Sequence, residues 1–198
     1  MSKLEGKVAV ISGGTTGIGL AIARRLVTEG AHVFIFGRRK AQLDAAAKLI
    51  GHNVTAIQAD AAKLDDLDHV AAAVRKEKGT VDIIVSNAGF TEQASIDTIT
   101  PEHFDKAFNL MARGPVFLVQ KLLPLMMGGG SVVLVSSAMH LMAFPAIPPT
   151  RRPRRRCAPV RVPGRPNSRI EAFVSTCSAP ASPTHRYSTL SRRHVRNW

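Results

Sequence analysis

The chain is short of several things that would each have pointed to a function class. It holds only two cysteines in 198 residues, Cys157 and Cys177. Two such thiols build neither a disulfide framework nor a metal-ligand spacing, so no metal site is expected and a reducing, cytoplasmic setting is the default. Tyrosine and tryptophan occur once each, as Tyr187 and Trp198. Aromatic side chains are too sparse to interleave with basic ones as nucleic-acid-binding modules require. No secretory signal is expected, because Lys3, Glu5 and Lys7 interrupt the start and Val8–Ile11 is too short for an apolar core. The uncharged stretch from Leu122 to Thr150 is broken by Gly128-Gly129-Gly130, by serines, by His140 and by prolines. It reads as a helix end, a turn and a buried strand, so no membrane association is expected. The length suits one domain with a substantial core.

The last quarter lacks acid. Residues 1–150 carry 15 Lys and Arg against 13 Asp and Glu, whereas residues 151–198 carry 12 Arg, no Lys and only Glu171. The break falls at Thr150, where Arg151-Arg152-Pro153-Arg154-Arg155-Arg156 begins. Residues 150–198 are therefore expected to be a basic Arg/Pro-rich tail, and residues 1–149 the folded domain. Such a tail binds polyanions, nucleic acid included, only nonspecifically and with strong salt dependence.

The first 150 residues alternate two patterns. Short apolar runs at Lys7–Ser12, His32–Phe36, Val54–Gln58, Val81–Val85 and Ser131–Val135 read as strands buried on both faces. Between them Gly17–Glu29, Arg39–Ile50 and Lys63–Lys78 carry apolar residues at helical spacing, each closed by a glycine, and Pro101 opens a further helical region running towards Met127. Strict alternation predicts an α/β fold, a Rossmann-like, doubly wound parallel sheet with helices on both faces. Ligands of such sheets bind at the carboxyl ends of the strands, at the switch in strand order.

The chemistry-bearing residues fall at those ends. The first strand runs into Gly13-Gly14-Thr15-Thr16-Gly17-Ile18-Gly19 and then a helix. Glycines there permit a tight turn and let backbone N–H groups approach a pyrophosphate, assisted by the helix N-terminus; the alternative is a glycine-rich turn without a ligand. The second strand ends in Gly37-Arg38-Arg39, with no carboxylate. An acid at this place suits the ribose 2′-OH of NAD, whereas arginine suits the 2′-phosphate of NADP, so NADP is favoured over NAD. Otherwise Arg38 and Arg39 are solvated residues of a helix start. Asp60 follows the third strand, and Asn87-Ala88-Gly89 follows the fourth.

Taken together, these motifs make residues 5–149 resemble the short-chain dehydrogenase/reductase family. The resemblance implies hydride transfer between a nicotinamide cofactor and a small-molecule carbonyl or alcohol substrate. It implies that Asp60 contacts the adenine and that Asn87, Ala88 and Gly89 support the sheet and line the cofactor channel. It also implies a catalytic Asn, Ser, Tyr and Lys. Ser137 matches the serine, although a strand-end serine can equally cap the next segment. The Asn position, three residues before Gly114, holds Met111; Asn109 lies two residues away, about 200° round an α-helix. The Tyr and Lys positions hold Thr150 and Arg154, and no Tyr-x-x-x-Lys occurs anywhere. Intact relatives are implied to be homo-oligomers whose interface helix begins near that tyrosine, and that helix is missing here. Catalysis in this chain is expected to be impaired. The alternative is a noncatalytic nucleotide binder or a nonfunctional product.

Loss of Tyr and Lys at the point where composition breaks suggests one cause. If one nucleotide is missing just before codon 150, each original codon ends with the first two bases of the residue now present. Thr150, as ACx, is then compatible with TAC, tyrosine, and Arg154, if AGx, with AAG, lysine. Residues 166–181 can likewise hide A-E-L-A-D-R-G-I-R-V-N-V-L-S-P-G, which resembles the family's next strand and its Pro-Gly turn. The tail is thus expected to be disordered or frameshifted, and to leave the sheet truncated after the fifth strand with Val132–Val135 as an apolar edge prone to aggregation. Sequencing the DNA around codons 145–150 is expected to recover the family pattern in the neighbouring frame; its absence there would sink the frame reading.

Overall fold

The computed structural model describes residues 2–92, 94 and 97–136, together with the backbone of 175–176. The elements run β1 (Val8–Ser12), α1 (Gly17–Thr28), β2 (His32–Gly37), α2 (Lys40–Ile50), β3 (Val54–Gln58), α3 (Leu64–Glu77), β4 (Ile83–Ser86), α4 (Pro101–Phe108), α5 (Gly114–Leu122) and β5 (Ser131–Ser136). A wide π-helical turn, Asn109–Arg113, joins α4 to α5. Every strand pairing is parallel and the order is β3-β2-β1-β4-β5. The chain winds outward from β1 to β3, then returns to the other side of β1 for β4 and β5. Among the described residues no helix is long and apolar enough to cross a membrane, and no cluster of His, Cys, Asp or Glu could hold a metal ion.

The period-two alternation of strand side chains divides the core in two. Val8 and Val10 of β1 and Phe34 and Phe36 of β2 face Leu67, Val70 and Val74 of α3 and Leu118 and Leu122 of α5. Ala9 and Ile11 of β1 and Val33 and Ile35 of β2 face Ala23 and Val27 of α1 and Leu43 and Ala46 of α2. Both faces of β1 and β2 are sealed, which is why these strands read as unbroken apolar runs. With right-handed crossovers, the two helices on the outward path lie on one face and those on the return path on the other.

Helix ends follow local chemistry. The Thr100 side chain accepts a hydrogen bond from the His103 N–H at 3.3 Å, with Pro101 in the first turn of α4. Asp65 and Asp66 sit in the first turn of α3, and Arg75 and Lys76 in its last, each sign where the helix dipole favours it. At Gly114, a Cβ would collide with the carbonyl oxygen of Ala61. The missing side chain lets α5 lie directly on the loop after β3.

One sequence expectation is corrected. The helix opened by Pro101 does not continue in α geometry, because the i→i+5 bonding of the π turn widens it over Asn109–Arg113. The 200° separation of Asn109 from Met111 assumed a regular α-helix and does not hold there. Beyond the five full-length strands, two further residues pair with the end of β5. Ser175–Thr176 forms a short β6 parallel to β5, with Val135 opposite Ser175 and Ser136 opposite Thr176. A ladder needs only N–H and C=O groups, so polar residues suffice. The sheet's full-length strands still end at β5, and its outer edge from Ser131 to Leu134 has no strand partner among the described residues. Ser137, Thr150, Arg154 and almost all of the tail lie outside the described residues.

At the amino ends of the strands, away from the glycine turn, His32 Nε2 lies 3.0 Å from Thr55 Oγ1 and 3.1 Å from Glu77 Oε1. The Thr55 hydroxyl donates to Glu77 at 2.8 Å. Burial, reinforced by the Lys78 charge, lowers the His32 pKa despite the Glu77 carboxylate. A depressed histidine stabilises the fold fully above its unfolded pKa of about 6.5 and loses that contribution as pH falls below it. Urea unfolding at pH 7.5 and pH 5.5 is expected to show a smaller pH-dependent loss in His32→Gln than in the wild type. A second expectation concerns Gly114→Ala, which should cost about 1–3 kcal/mol by overpacking against Ala61. Gly128→Ala, where a Cβ meets nothing within 4 Å, should leave the melting temperature nearly unchanged.

Candidate functional site

The switch in strand order lies between β1 and β4, and their carboxyl ends are bound together there. Ser12 is buried, and its Oγ accepts the N–H of Asn87 at 2.9 Å and that of Ala88 at 3.0 Å. The Asn87 side-chain amide returns to the carbonyls of Ser12 at 3.3 Å and Gly13 at 3.1 Å. These bonds fix the chain leaving β4 beside the glycine turn leaving β1. Gly13 takes φ +65°, a left-handed conformation that a side chain would strain, and a Cβ on it would press on Ala88. A Cβ on Gly19 would strike the Gly13 carbonyl and the Asn87 amide. The turn can be this tight only because both positions are bare.

A cavity of about 210 Å³ opens over these strand ends. Its walls bring together Gly13, Thr15 and Thr16 from the turn, Arg38 and Arg39 from the end of β2, Asp60 from the end of β3, and Asn87, Ala88 and Gly89 from the end of β4. Three residues selected around the glycine turn do not line it. Gly17 and Ile18 begin α1, with Ile18 exposed, and Gly19 is buried behind the turn. Met111 is also outside the lining and lies 48% exposed. The structure adds Phe36, Gly37, Ala59, Ala61 and Leu110 to the wall. Leu110 comes from the π turn, and Ser12 anchors from below. Ser12 carried one signal in the sequence: a polar residue closing an otherwise apolar strand.

The donor set fits a dinucleotide. The first turn of α1 holds no acidic residue, and Thr16 precedes it without using its side chain as a cap. The helix dipole and the amides of the turn are thus free to meet an anion. Asp60 stands on the opposite wall, its Oδ1 accepting the Ala62 N–H at 3.0 Å while its own N–H donates to Asp66 Oδ2 at 2.6 Å. The carboxylate is therefore oriented and keeps a second oxygen for a ligand donor such as an exocyclic amine. The residues lining the cavity have the chemistry that a dinucleotide needs.

Known proteins share this sequence pattern and this fold. The family model described as short chain dehydrogenase matches residues 7–149. An oxidoreductase, asL5, from Sarocladium schorii is 44% identical over 149 residues, 74% of this chain and 60% of its own length. Human dehydrogenase/reductase SDR family member 4 is 36% identical, over 74% of this chain and 55% of that protein. Among solved structures, L-sorbose reductase from Gluconobacter frateurii, complexed with NADPH and L-sorbose, superposes with a TM-score of 0.68 at 34% identity, covering 71% of this chain and 56% of the reductase. The chain thus spans a little over half the length of these relatives. A match over residues 7–149, carried on the same kind of sheet, makes this chain a member of the short-chain dehydrogenase family.

Proposed function

We propose that residues 1–149 are the NADP(H)-binding part of an oxidoreductase that transfers hydride between nicotinamide and a carbonyl or alcohol, and that this chain binds the nucleotide without efficient turnover. The observation carrying the cofactor choice is the pair Arg38 and Arg39 on the adenosine side of the cavity, with no carboxylate at the end of β2. Two guanidinium groups there favour a 2′-phosphate through charge-assisted bonds, whereas a bare ribose needs an acceptor for its hydroxyl. Bound there, the cofactor would supply or accept the hydride.

The protein's own part is to hold the dinucleotide and to exchange a proton at the substrate oxygen. Gly13, Thr15 and Thr16 would hold the diphosphate, Asp60 would orient the adenine, and Asn87, Ala88 and Gly89 would bound the channel. For the proton the family places a tyrosine, and a phenol near pKa 10 needs a neighbouring cation to ionise near neutrality. In this chain the two positions hold Thr150 and Arg154, and the position of the relay Asn holds Met111. An alkyl hydroxyl does not exchange its proton as a phenol does, and a thioether carries none to relay. These substitutions favour nucleotide binding without catalysis. That the family match ends at residue 149, beside the compositional break at Thr150, supports the reading of the tail as out-of-frame sequence.

NADPH is expected to bind more tightly than NADH in fluorescence titration, and Arg38→Ala/Arg39→Ala to remove most of that difference. Loss of two charge-assisted bonds should weaken NADPH by about 10- to 100-fold. A hydride-transfer assay over a panel of ketones and secondary alcohols is expected to detect turnover in the frame-restored chain and not in the present one. Comparable turnover by the present chain would overturn the noncatalytic part of the proposal.

A further inference from the structure

We infer that Gln58 is a positioning residue that sets discrimination at the 2′ position of the adenosine, an inference that rests on the reading of Arg38 and Arg39 given above. At the end of β2 three successive carbonyls are each held by a different part of the chain. Phe36 accepts the N–H of Gly13 at 2.9 Å, and Gly37 accepts the N–H of Ala59 at 3.1 Å. Arg38 accepts the side-chain amide of Gln58, Nε2 to O, at 3.0 Å. The next carbonyl, that of Arg39, accepts the Leu43 N–H at 3.1 Å in the first turn of α2. Every carbonyl from Phe36 to Arg39 is therefore engaged. Of the four bonds, three come from the backbone and follow from the fold, while the fourth depends on one side chain.

That fourth bond falls at the residue where direction matters. Arg38 and Arg39 are exposed, with long side chains and large rotamer freedom. Their reach towards a phosphate is governed by the backbone they leave from. Gln58 stands opposite Gly37 in the β2–β3 register, so its side chain can cross to the Arg38 carbonyl without displacing the ladder. It does so from an exposed position, and its replacement therefore opens no core cavity. Removing the donor releases the Arg38 peptide while the glycine turn, the ladder and α2 keep their own bonds. A merely structural residue would affect the whole adenosine site, whereas Gln58 should affect only its phosphate-reading edge.

The test uses the full chain with 2′,5′-ADP and 5′-AMP as calorimetric probes. The wild type should prefer 2′,5′-ADP. Gln58→Met, near in length but without the donor, should weaken 2′,5′-ADP by about 3- to 10-fold, the value of one such bond, and leave 5′-AMP unchanged. Gln58→Thr, a good strand former too short to reach Arg38, should do the same and guards against a folding defect in the first variant. In an Arg38→Ala/Arg39→Ala background, Gln58→Met should have no further effect. Equal weakening of both probes, or no weakening of either, would overturn the inference. A wild type with no preference would overturn the NADP reading and this inference with it. A preference that survives Gln58→Met unchanged would overturn the role of Gln58 alone.

Discussion

The structure depends on one close approach, that of the turn leaving β1 to the end of β4. Gly13, Gly19, Ser12 and Asn87 meet there with almost no side-chain volume between their backbones. Bulk at either glycine forces α1 away from the sheet, and loss of the Ser12 hydroxyl leaves the N–H groups of Asn87 and Ala88, just after β4, without their acceptor. Because β1 and β4 are the strands on either side of the order switch, the same approach that closes the fold also opens the cavity. Stability and ligand binding thus draw on one set of residues, and a substitution here is felt in both.

Around that centre the molecule is arranged by distance from β1. The inner strands have both faces sealed, by α1 and α2 on one side and by α3 and α5 on the other. Outward from them the constraint weakens: Leu134 of β5 is 36% exposed. The wall of the cavity that carries Arg38, Arg39 and Asp60 is built on the well-packed half, from the ends of β2 and β3. Its outer wall is completed by the π turn through Leu110 and braced by Gly114 against Ala61. The widened turn is what brings an apolar residue of the α4–α5 rod over the cavity.

Most of the fold was legible in the sequence because buried parallel strands advertise themselves. His32, Val54 and Ser131 begin strands where the apolar runs begin, and Gly17 opens α1 as expected. The strand ends carried Arg38, Asp60 and Asn87 into one cavity because a doubly wound sheet leaves its loops no other place to meet. What escaped is contact between residues distant in sequence or geometry without a side-chain signature. Ala61 lying against Gly114 and Gln58 reaching the Arg38 carbonyl are contacts with backbone, which any sequence offers. The π turn adds one residue to a hydrogen-bonded ring, and no periodicity over five residues reveals that. The short ladder at Ser175–Thr176 escaped because nothing in those residues' composition selects a strand.

The strand order also sets a timetable. β1 is made before the other strands of this sheet and ends among the innermost, flanked by β2 and β4. Its β2 side is covered once His32–Gly37 emerges, but its other side waits for Ile83–Ser86. Between Ser12 and Ile83 lie roughly 70 residues, about 4–15 s of synthesis at ordinary elongation rates. Through that interval a nascent chain presents Val8–Ser12 as an open edge of apolar backbone. The glycine turn cannot be locked before Asn87 arrives. The cavity is therefore a late product of synthesis, and a ligand held there cannot assist the folding of the half-sheet that comes before it.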